Sequence, residues 1–233
     1  MDVSERMLAE GTRFGCDKVT HHSYHEFYGH FLDRIDGKTG AMVEIGVEEG
    51  RSLRMWLEVF PKFHFYGVDI RLTQNRVSTG SYDLIRADQS SQFDLNICAE
   101  ILELSGRPLW LAVDDGSHIP EHQVATFNVL FEKLVEGGIY IIEDVEVSYW
   151  RTGELYGYPT SYGYGHPKSI VEIFKRALEC VNSEFVGIDF VYTGEISETN
   201  LALIESITFS RNCIVVTKGR PAKSIYRFSD RTR

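Results

Sequence analysis

The chain has 233 residues, of which 43% are hydrophobic and 25% are charged, a composition typical of one substantial globular domain. Its formal net charge of −10 excludes a broad cationic surface, so we expect neither a nucleic-acid partner nor a membrane partner. The N-terminal stretch MDVSERMLAEG lacks the apolar core of a signal peptide, and no apolar run reaches the roughly 20 residues of a membrane span, which favours a cytoplasmic protein. The four cysteines show no CxxC spacing, and we expect buried free thiols.

Short β-rich runs alternate with amphipathic stretches between residues 41 and 145, which predicts repeated strand–helix units. Strands are expected at 41–46, 63–70, 82–88, 109–115 and 139–145. Helices are expected at 51–60, at 91–104, and from Pro120 to a stop at the glycine pair 137–138. Because these strands are almost continuously apolar, we predict a parallel sheet covered by helices on both faces.

The C-terminal part of the chain has a different pattern. The β-rich runs SITFS (206–210) and CIVVTK (213–218) are separated only by Arg211 and Asn212, which requires an antiparallel hairpin. Five parallel units closed by a hairpin are the strand inventory of a class I methyltransferase-type sheet. We therefore predict a doubly wound, Rossmann-like α/β fold that is mostly parallel and ends in an antiparallel hairpin. The stretch 183–200 has no pattern that assigns it.

Ligands of such sheets bind beyond the carboxyl ends of the strands. Gly46 and Gly50, after the first strand, allow a close backbone approach and a turn into the helix. The two acidic residues between them oppose a pyrophosphate and favour an adenosine ligand that carries a cationic group. Asp69, at the end of the second strand, is placed to bind ribose hydroxyls, and Asp88, after the third, to bind the adenine edge. A turn acid at Asp69 and a helix cap at Asp88 are the alternatives.

Three carboxylates are expected at the ends of the fourth and fifth strands, namely Asp115, Glu143 and Asp144. Clustered carboxylates repel one another unless a cation is present, and their hard oxygen ligands suit Mg²⁺, with Mn²⁺ or Ca²⁺ as substitutes. His118, beyond the Gly116 turn, is placed to act as a general base. Strand-end and helix caps are the structural alternatives for these residues.

One motif in this stretch points to a different metal. The residues His118, Glu121 and His122 match the H-x-x-E-H pattern of a class of zinc proteases. That pattern needs both histidines on one face of a helix, but Pro120 indicates that the helix begins after His118. We therefore interpret the match as an accident of spacing.

Aromatic residues follow the fifth strand. Tyr149, Trp150 and the Tyr/Gly-rich stretch 156–166, which begins with Tyr156, offer stacking faces for a sugar or a polyketide. We expect them to contact the substrate; a surface loop or an oligomer contact is the alternative.

Six ordered motifs resemble the metal-dependent sugar O-methyltransferases of macrolide and other natural-product pathways. They are GTRFGCDKVTHHSY (11–24), VEIGVEEGRSLRMWLEVFP (43–61), YGVDI (66–70), RADQSS (86–91), DDGSHIPEHQVATFNVLF (114–131) and GGIYIIEDVEVSYW (137–150). The resemblance implies S-adenosylmethionine as methyl donor and a divalent metal, usually Mg²⁺. Cys16, where the family usually has threonine, and Arg51, where it has a second glycine, depart from the pattern.

The resemblance also implies roles for individual residues. It assigns the metal to Asp115, Glu143 and Asp144, and the catalytic base to His118. The residues implied in donor binding are Lys18, Tyr24, Glu44, Gly46, Gly50, Ser52, Asp69, Asp88 and Gln89. We expect residues 1–40 to form a helical segment that covers the donor site and residues 41–233 to form a single domain.

The expected function is transfer of a methyl group from S-adenosylmethionine to a hydroxyl of a sugar or a glycosylated natural product, dependent on Mg²⁺, by a homo-oligomeric enzyme. A catechol-type or phenol O-methyltransferase would use the same fold and metal. Two hypotheses without methyl transfer stay open: a relative of the cephalosporin hydroxylase-associated proteins, and a plain interaction module.

Overall fold

The computed structural model describes residues 1–74, 76–150, 154–155, 158–159, 162–182 and 194–220. Within these ranges, no helix is both long enough and apolar enough to cross a membrane. Tyr156, one of the residues expected to contact the substrate, lies outside the described residues.

Eight strands form one sheet with the spatial order β3-β4-β2-β1-β5-β6-β10-β9. Their bounds are β1 Gly40–Ile45, β2 Phe63–Asp69, β3 Arg76–Ser78, β4 Tyr82–Arg86, β5 Leu109–Asp114, β6 Leu134–Glu143, β9 Ile204–Ser210 and β10 Cys213–Lys218. Two short strands, β7 Glu154–Leu155 and β8 Tyr158–Pro159, pair with each other in a separate antiparallel sheet.

The described helices surround the main sheet. They are α1 Val3–Phe14, α2 Asp17–Thr20, α3 Tyr24–Leu32, α4 Arg51–Val59, α5 Gln92–Leu104, α6 Pro120–Leu130, α7 Ile170–Val181 and α8 Glu198–Leu201. Short 3₁₀ turns lie at Asp33–Ile35, Phe131–Lys133 and Val145–Tyr149.

The five central strands β4, β2, β1, β5 and β6 are parallel, whereas β10 pairs with β6, and β9 with β10, in antiparallel fashion. This confirms the predicted Rossmann-like sheet with its C-terminal hairpin. The chain runs outward from β1 through β2 to β4 on one side, and from β5 to β6 on the other. The strand order therefore reverses between β1 and β5, the point where such sheets bind ligands.

Two apolar layers cover the faces of the sheet because successive side chains of a strand point to opposite sides. On β1, Met42 packs with residues of α1, α3 and α4, whereas Val43 and Ile45 pack with residues of α5, α6 and α7. Trp56 of α4 and Phe127 of α6 are fully buried against opposite faces. Both faces are thus covered, as the apolar strands predict.

Several elements differ from the expectation. The helix α7 and the short strands β7 and β8 were not predicted, and α6 ends at Leu130, before the glycine pair. The strands β6 and β3 also differ. β6 begins at Leu134, five residues earlier than predicted, because the glycine pair 137–138 forms an irregularity within the strand and does not end a helix. The register there passes from Leu109↔Leu134 to Leu111↔Ile139, and Gly137 has a φ of +78°. The three-residue strand β3 was not predicted, since its mostly exposed residues carry no apolar alternation.

Candidate active site

A cavity of about 620 Å³ lies at the carboxyl ends of the parallel strands, next to the reversal point between β1 and β5. Its floor is formed by the ends of the strands and the turns that follow them. The N-terminal segment also reaches it, because Asp17, His21 and His22 contribute to the lining.

The turn from β1 into α4 has to be glycine at its first position. Gly46 adopts a φ of +87°, and a Cβ there would overlap the backbone carbonyl of Asp115. The Gly46 amide donates to the carbonyl oxygen of Val68 at 2.8 Å, which joins β1 to β2 at the cavity floor. Gly50, with a φ of +72°, precedes α4. Of the two predicted glycines, Gly46 lines the cavity and Gly50 shapes the turn.

Asp69 and Asp88 both line the cavity, as predicted from the strand ends. The carboxylate of Asp69 accepts hydrogen bonds from the backbone amides of Glu48 and Arg71 at 2.8 and 2.7 Å, which ties the turns after β1 and β2 together. The carboxylate of Asp88 accepts from the Ser90 hydroxyl and amide, and these hydrogen bonds hold its pKa below the usual range. Asp88 is therefore anionic at neutral pH, and hydrogen bonds fix both carboxylates in position.

Of the other predicted donor-binding residues, Gln89 lines the cavity whereas Glu44 and Ser52 do not. Glu44 is fully buried and accepts from the Ser52 hydroxyl at 2.7 Å and the Trp56 indole at 3.4 Å. The amide nitrogen of Gln89 donates to Asp114 at 2.7 Å, and its oxygen accepts from the backbone amide of Ser117 at 2.8 Å. Donor binding by Glu44, Ser52 and Gln89 stays a prediction.

The buried Asp114 anchors the loop that carries His118. Burial raises the pKa of the Asp114 carboxyl to about 6, against the opposing effect of the hydrogen bond from Gln89. The Gln89 amide also donates to the Thr126 hydroxyl of α6 at 3.0 Å. A Cβ on Gly116 would overlap the Gln89 oxygen, so the glycine permits this close packing. Gln89 thus connects strand β5, the loop after it and α6.

Asp115, His118 and Asp144 come together at the edge of the cavity. Within the described part of the chain, one ligand atom from each of these three residues lies within 4.8 Å of the others, a spacing that could hold a metal ion. The His118 Nε2 lies 3.9 Å from Asp144 Oδ2. Both His118 and Asp144 have left-handed backbones, with φ of +57° and +53°. Strain of this kind in non-glycine residues is concentrated at functional sites.

Asp144 is held from its other side by Tyr24, which the resemblance implied in donor binding, and by Asn212, which the sequence analysis did not indicate. The Oδ1 atom of Asp144 accepts from the Tyr24 hydroxyl at 2.7 Å and from the Asn212 side-chain amide at 2.9 Å. The Asn212 oxygen in turn accepts from the Glu146 amide at 2.9 Å. Asn212 occupies the tight β9–β10 turn with a φ of +58°, which asparagine tolerates well. In the sequence, Asn212 could have been singled out by its position in the two-residue turn between β9 and β10, next to β6.

Lys18 reaches the same carboxylates from the N-terminal segment. Its side chain is 1% exposed; its Nζ lies 2.8 Å from Glu143 Oε2 and 3.2 Å from Glu44 Oε1, and it also donates to Asp115 Oδ2. Burial lowers the pKa of the ammonium, but the carboxylates of Asp115, Glu143 and Glu44 together hold it well above the usual range. Lys18 is therefore a buried cation.

Glu143, the third predicted metal ligand, does not belong to the group formed by Asp115, His118 and Asp144. It is 1% exposed, and its Oε1 accepts from the Tyr28 hydroxyl at 2.7 Å while its Oε2 accepts from Lys18. Its role as a metal ligand stays a prediction. That role requires the Lys18 ammonium to leave the Oε2 atom.

Tyr149 and Trp150, the described residues among the aromatic ones predicted to bind substrate, are not part of the cavity lining. Tyr149 is 51% exposed and stacks on Tyr164 with ring centroids 6.4 Å apart, and Trp150 is half-buried. Their role in substrate binding stays a prediction. α6 begins at Pro120, as expected, and His122 bonds to the Ser117 hydroxyl at 2.8 Å, which agrees with the interpretation that H-x-x-E-H is accidental here.

No protein-family model matches the chain. Among curated proteins it is 35% identical over 172 residues to the 8-demethyl-8-alpha-L-rhamnosyl tetracenomycin-C 2'-O-methyltransferase of Streptomyces olivaceus, covering 69% of this chain and 43% of the relative. It is 32% identical over 173 residues to the L-olivosyl-oleandolide 3-O-methyltransferase of Streptomyces antibioticus, covering 69% of this chain and 42% of the relative. The chain is a homologue of these sugar O-methyltransferases. It spans less than half the length of either.

A solved structure agrees with this relationship at the level of the fold. The MycE methyltransferase of the mycinamycin biosynthetic pathway, in complex with Mg and SAH, superimposes with a TM-score of 0.79. The match covers 96% of this chain and 56% of that chain at 24% sequence identity. The methyltransferase-type sheet predicted from the strand inventory is thus the fold of this homologue.

Proposed function

We propose that this chain is an S-adenosylmethionine-dependent and divalent-metal-dependent O-methyltransferase that acts on a hydroxyl of a sugar in a glycosylated natural product. The observation that carries the proposal is the convergence of Asp115, His118 and Asp144 at the edge of an acidic cavity, in a homologue of sugar O-methyltransferases. A cavity and a proton-accepting group meet there, as methyl transfer to a hydroxyl requires.

The charge of the cavity supports a cationic donor. Among the described residues that line it, seven are acidic and one is an arginine, Arg71, which pairs with Glu48 at 3.5 Å. The acidic residues are Asp17, Glu48, Asp69, Asp88, Asp115, Asp144 and Glu146. A pyrophosphate would be repelled by this field, whereas the sulfonium of S-adenosylmethionine would be attracted. Asp69 and Asp88 are placed to bind its ribose and adenine, respectively.

The donor set at the cavity edge fits a hard divalent cation. Asp115 and Asp144 would hold Mg²⁺ with carboxylate oxygens, its preferred ligands, and Glu143 is the third ligand we propose. When bound, such a cation polarises the acceptor oxygen and lowers the pKa of its hydroxyl. Mn²⁺ or Ca²⁺ could replace it in binding.

His118 would accept the proton of the acceptor hydroxyl as its oxygen attacks the methyl group. Its position 3.9 Å from Asp144 Oδ2 allows the carboxylate to stabilise the imidazolium that forms. A positioned base contributes roughly 100- to 10,000-fold to rate, and alignment of oxygen and methyl contributes the larger share. The Gln89–Asp114 contacts hold the loop on which His118 lies.

The acceptor class comes from the relatives. One relative is named for a rhamnosyl tetracenomycin and another for an olivosyl-oleandolide, and MycE has been solved with Mg, SAH and mycinamycin VI. We propose a deoxysugar attached to a polyketide as the acceptor here, bound by a homo-oligomeric enzyme. Tyr149, which stacks on the exposed Tyr164, and Trp150 are proposed to contact it.

Methyl transfer from labelled S-adenosylmethionine to a panel of rhamnosylated and olivosylated polyketides, and to catechols, tests the proposal. We expect transfer to glycosides that EDTA abolishes and Mg²⁺ restores, and a loss of about 100-fold or more in kcat for His118→Ala at unchanged donor affinity. Glu121→Gln, three residues further on and outside the group of three, is the matched control. Methylation confined to phenols would show that the acceptor is a phenol and not a sugar. Absence of S-adenosylmethionine binding by calorimetry would overturn the proposal.

A further inference from the structure

The carboxylates proposed to bind metal already hold a cation from the chain itself. The Lys18 ammonium contacts Asp115 and Glu143, two of the three proposed ligands, and it lies 97 and 125 residues away from them in sequence. A third carboxylate, Glu44, lies 3.2 Å from the same nitrogen and does not line the cavity. Lys18 therefore sits between the cavity edge and a buried acid.

We propose that Lys18 is the internal counter-ion of this site: it compensates part of the negative charge of Asp115 and Glu143 in the absence of a divalent cation and competes with the cation for them. The inference deepens the proposed function and rests on its metal site. A divalent cation that binds Asp115 and Glu143 must displace the ammonium from both, since Lys⁺ and Mg²⁺ repel each other at contact distance.

Glu44 gives the displaced ammonium a place to remain. Its carboxylate is fully buried, is fixed by Ser52 and Trp56, and would otherwise be an uncompensated buried charge. The ammonium can therefore keep its contact with Glu44 while Asp115 and Glu143 turn to the cation. The Tyr28 hydroxyl on Glu143 Oε1 leaves Oε2, now taken by Lys18, as the oxygen that would be exchanged.

This arrangement has a consequence for the metal-free protein. Without Lys18, three carboxylates would face one another in a buried place, and the fold would need a cation there. With Lys18 present, the protein folds without a divalent cation, but it binds that cation less tightly. Lys18 is thus a positioning residue for Asp115 and Glu143.

The double variant Lys18→Met with Glu44→Gln tests the competition at constant charge. The wild-type cluster of three carboxylates and one ammonium has a formal charge of −2, and the double variant, with two carboxylates and no ammonium, also has −2. Any change in Mg²⁺ affinity then reflects removal of the competitor. Lys218→Met is the matched control, because Lys218 is a buried lysine whose ammonium donates to the carbonyls of Glu132 and Leu134.

We expect calorimetric titration to show that the Kd for Mg²⁺ falls by about tenfold or more in the double variant and is unchanged in Lys218→Met. We also expect the Tm of the double variant to rise with Mg²⁺ far more than that of the wild type. An equal or weaker Mg²⁺ affinity in the double variant would overturn the role of Lys18 and leave the proposed metal site standing.

The two proposals fail separately. If the wild type binds no Mg²⁺ and the double variant does, the counter-ion role holds and metal dependence of the natural enzyme is wrong; if neither binds, the counter-ion role is wrong as well. Should the double variant not fold with or without Mg²⁺, Glu44→Gln alone decides, because it removes the acid that receives the ammonium. We then expect a Kd for Mg²⁺ several-fold higher than in the wild type, and an unchanged Kd would contradict the inference.

Discussion

At the scale of single residues, the site depends on which oxygen of Asp144 faces the cavity. The Oδ1 atom is occupied by Tyr24 and Asn212, so the Oδ2 atom is the one directed toward His118. Both donors contact Oδ1, not the Oδ2 atom that lies near His118. They act by fixing a carboxylate whose backbone is itself strained, with a φ of +53°.

The variants Asn212→Gly and Tyr24→Phe test the Asp144 clamp, by which we mean the hydrogen bonds from the Tyr24 hydroxyl and the Asn212 amide to Asp144 Oδ1. Glycine keeps the left-handed turn while the amide is lost, and phenylalanine loses only the hydroxyl. Outer-shell partners of this kind are worth about 10- to 100-fold in metal affinity, and we expect each variant to raise the Kd for Mg²⁺ by about tenfold, measured by calorimetry. Tyr66→Phe is the control, because that buried hydroxyl accepts from Arg107 far from the clamp. Unchanged Kd values in both variants would show that the clamp does not affect metal binding.

Sequence reasoning found Asp115, His118 and Asp144 because strand ends of a parallel sheet meet at one edge. It could not find the contacts of Lys18 or Asn212. Lys18 reaches Glu143 across 125 positions, and Asn212 reaches Asp144 across 68. Such contacts depend on how the N-terminal helices and the hairpin dock on the sheet, which apolar periodicity does not specify.

At the scale of elements, the five parallel strands, the C-terminal hairpin and the helices α4, α5 and α6 follow from apolar runs and from Pro and Gly punctuation. The start of β6 does not, since a glycine pair is typical both of a helix end and of an irregular strand. Its register shift is tolerated because strand pairing resumes at Ile139. The turn between β1 and α4 matters most for the site, because Gly46 lines the cavity there with backbone atoms alone.

Gly46→Ala tests that turn. The added methyl would overlap the Asp115 carbonyl at a φ of +87°, so we expect a loss of about 1–3 kcal/mol in the free energy of unfolding. Displacement of the strand end should also weaken binding of S-adenosylhomocysteine. Urea denaturation and calorimetry measure the two effects. Gly80→Ala is the control, because a Cβ there meets no atom within 4 Å; equal behaviour of the two variants would contradict the close approach at Gly46.

At the scale of the whole molecule, the sheet divides the protein into two buried layers, and the N-terminal helices close one of them. That layer holds Met7, Cys16 and Tyr28 together with Trp56 of α4. The same packing brings Lys18 and Tyr24 to the carboxylates, so the ionic site and the apolar layer form together. A probe of one layer therefore reports on the integrity of the site.

Buried thiols in both layers provide such a probe, for example Cys16 in one layer and Cys98 in the other. Burial raises the pKa of Cys16 and of Cys98 to about 12, so at pH 8 only about one in 10,000 of these groups is a thiolate. Because the folded state holds these protons more tightly than the unfolded state, with a pKa near 9, stability should be constant below pH 8 and fall as pH rises above 9.

At pH 8 we expect a thiol reagent to label the half-buried Cys180 first, and Cys16 and Cys98 only as fast as the protein unfolds in urea. Cys180→Ala should remove the early phase. Rapid labelling of Cys16 in the native protein would show that the N-terminal helices open independently of the sheet, and Lys18 would then leave its carboxylates each time they open.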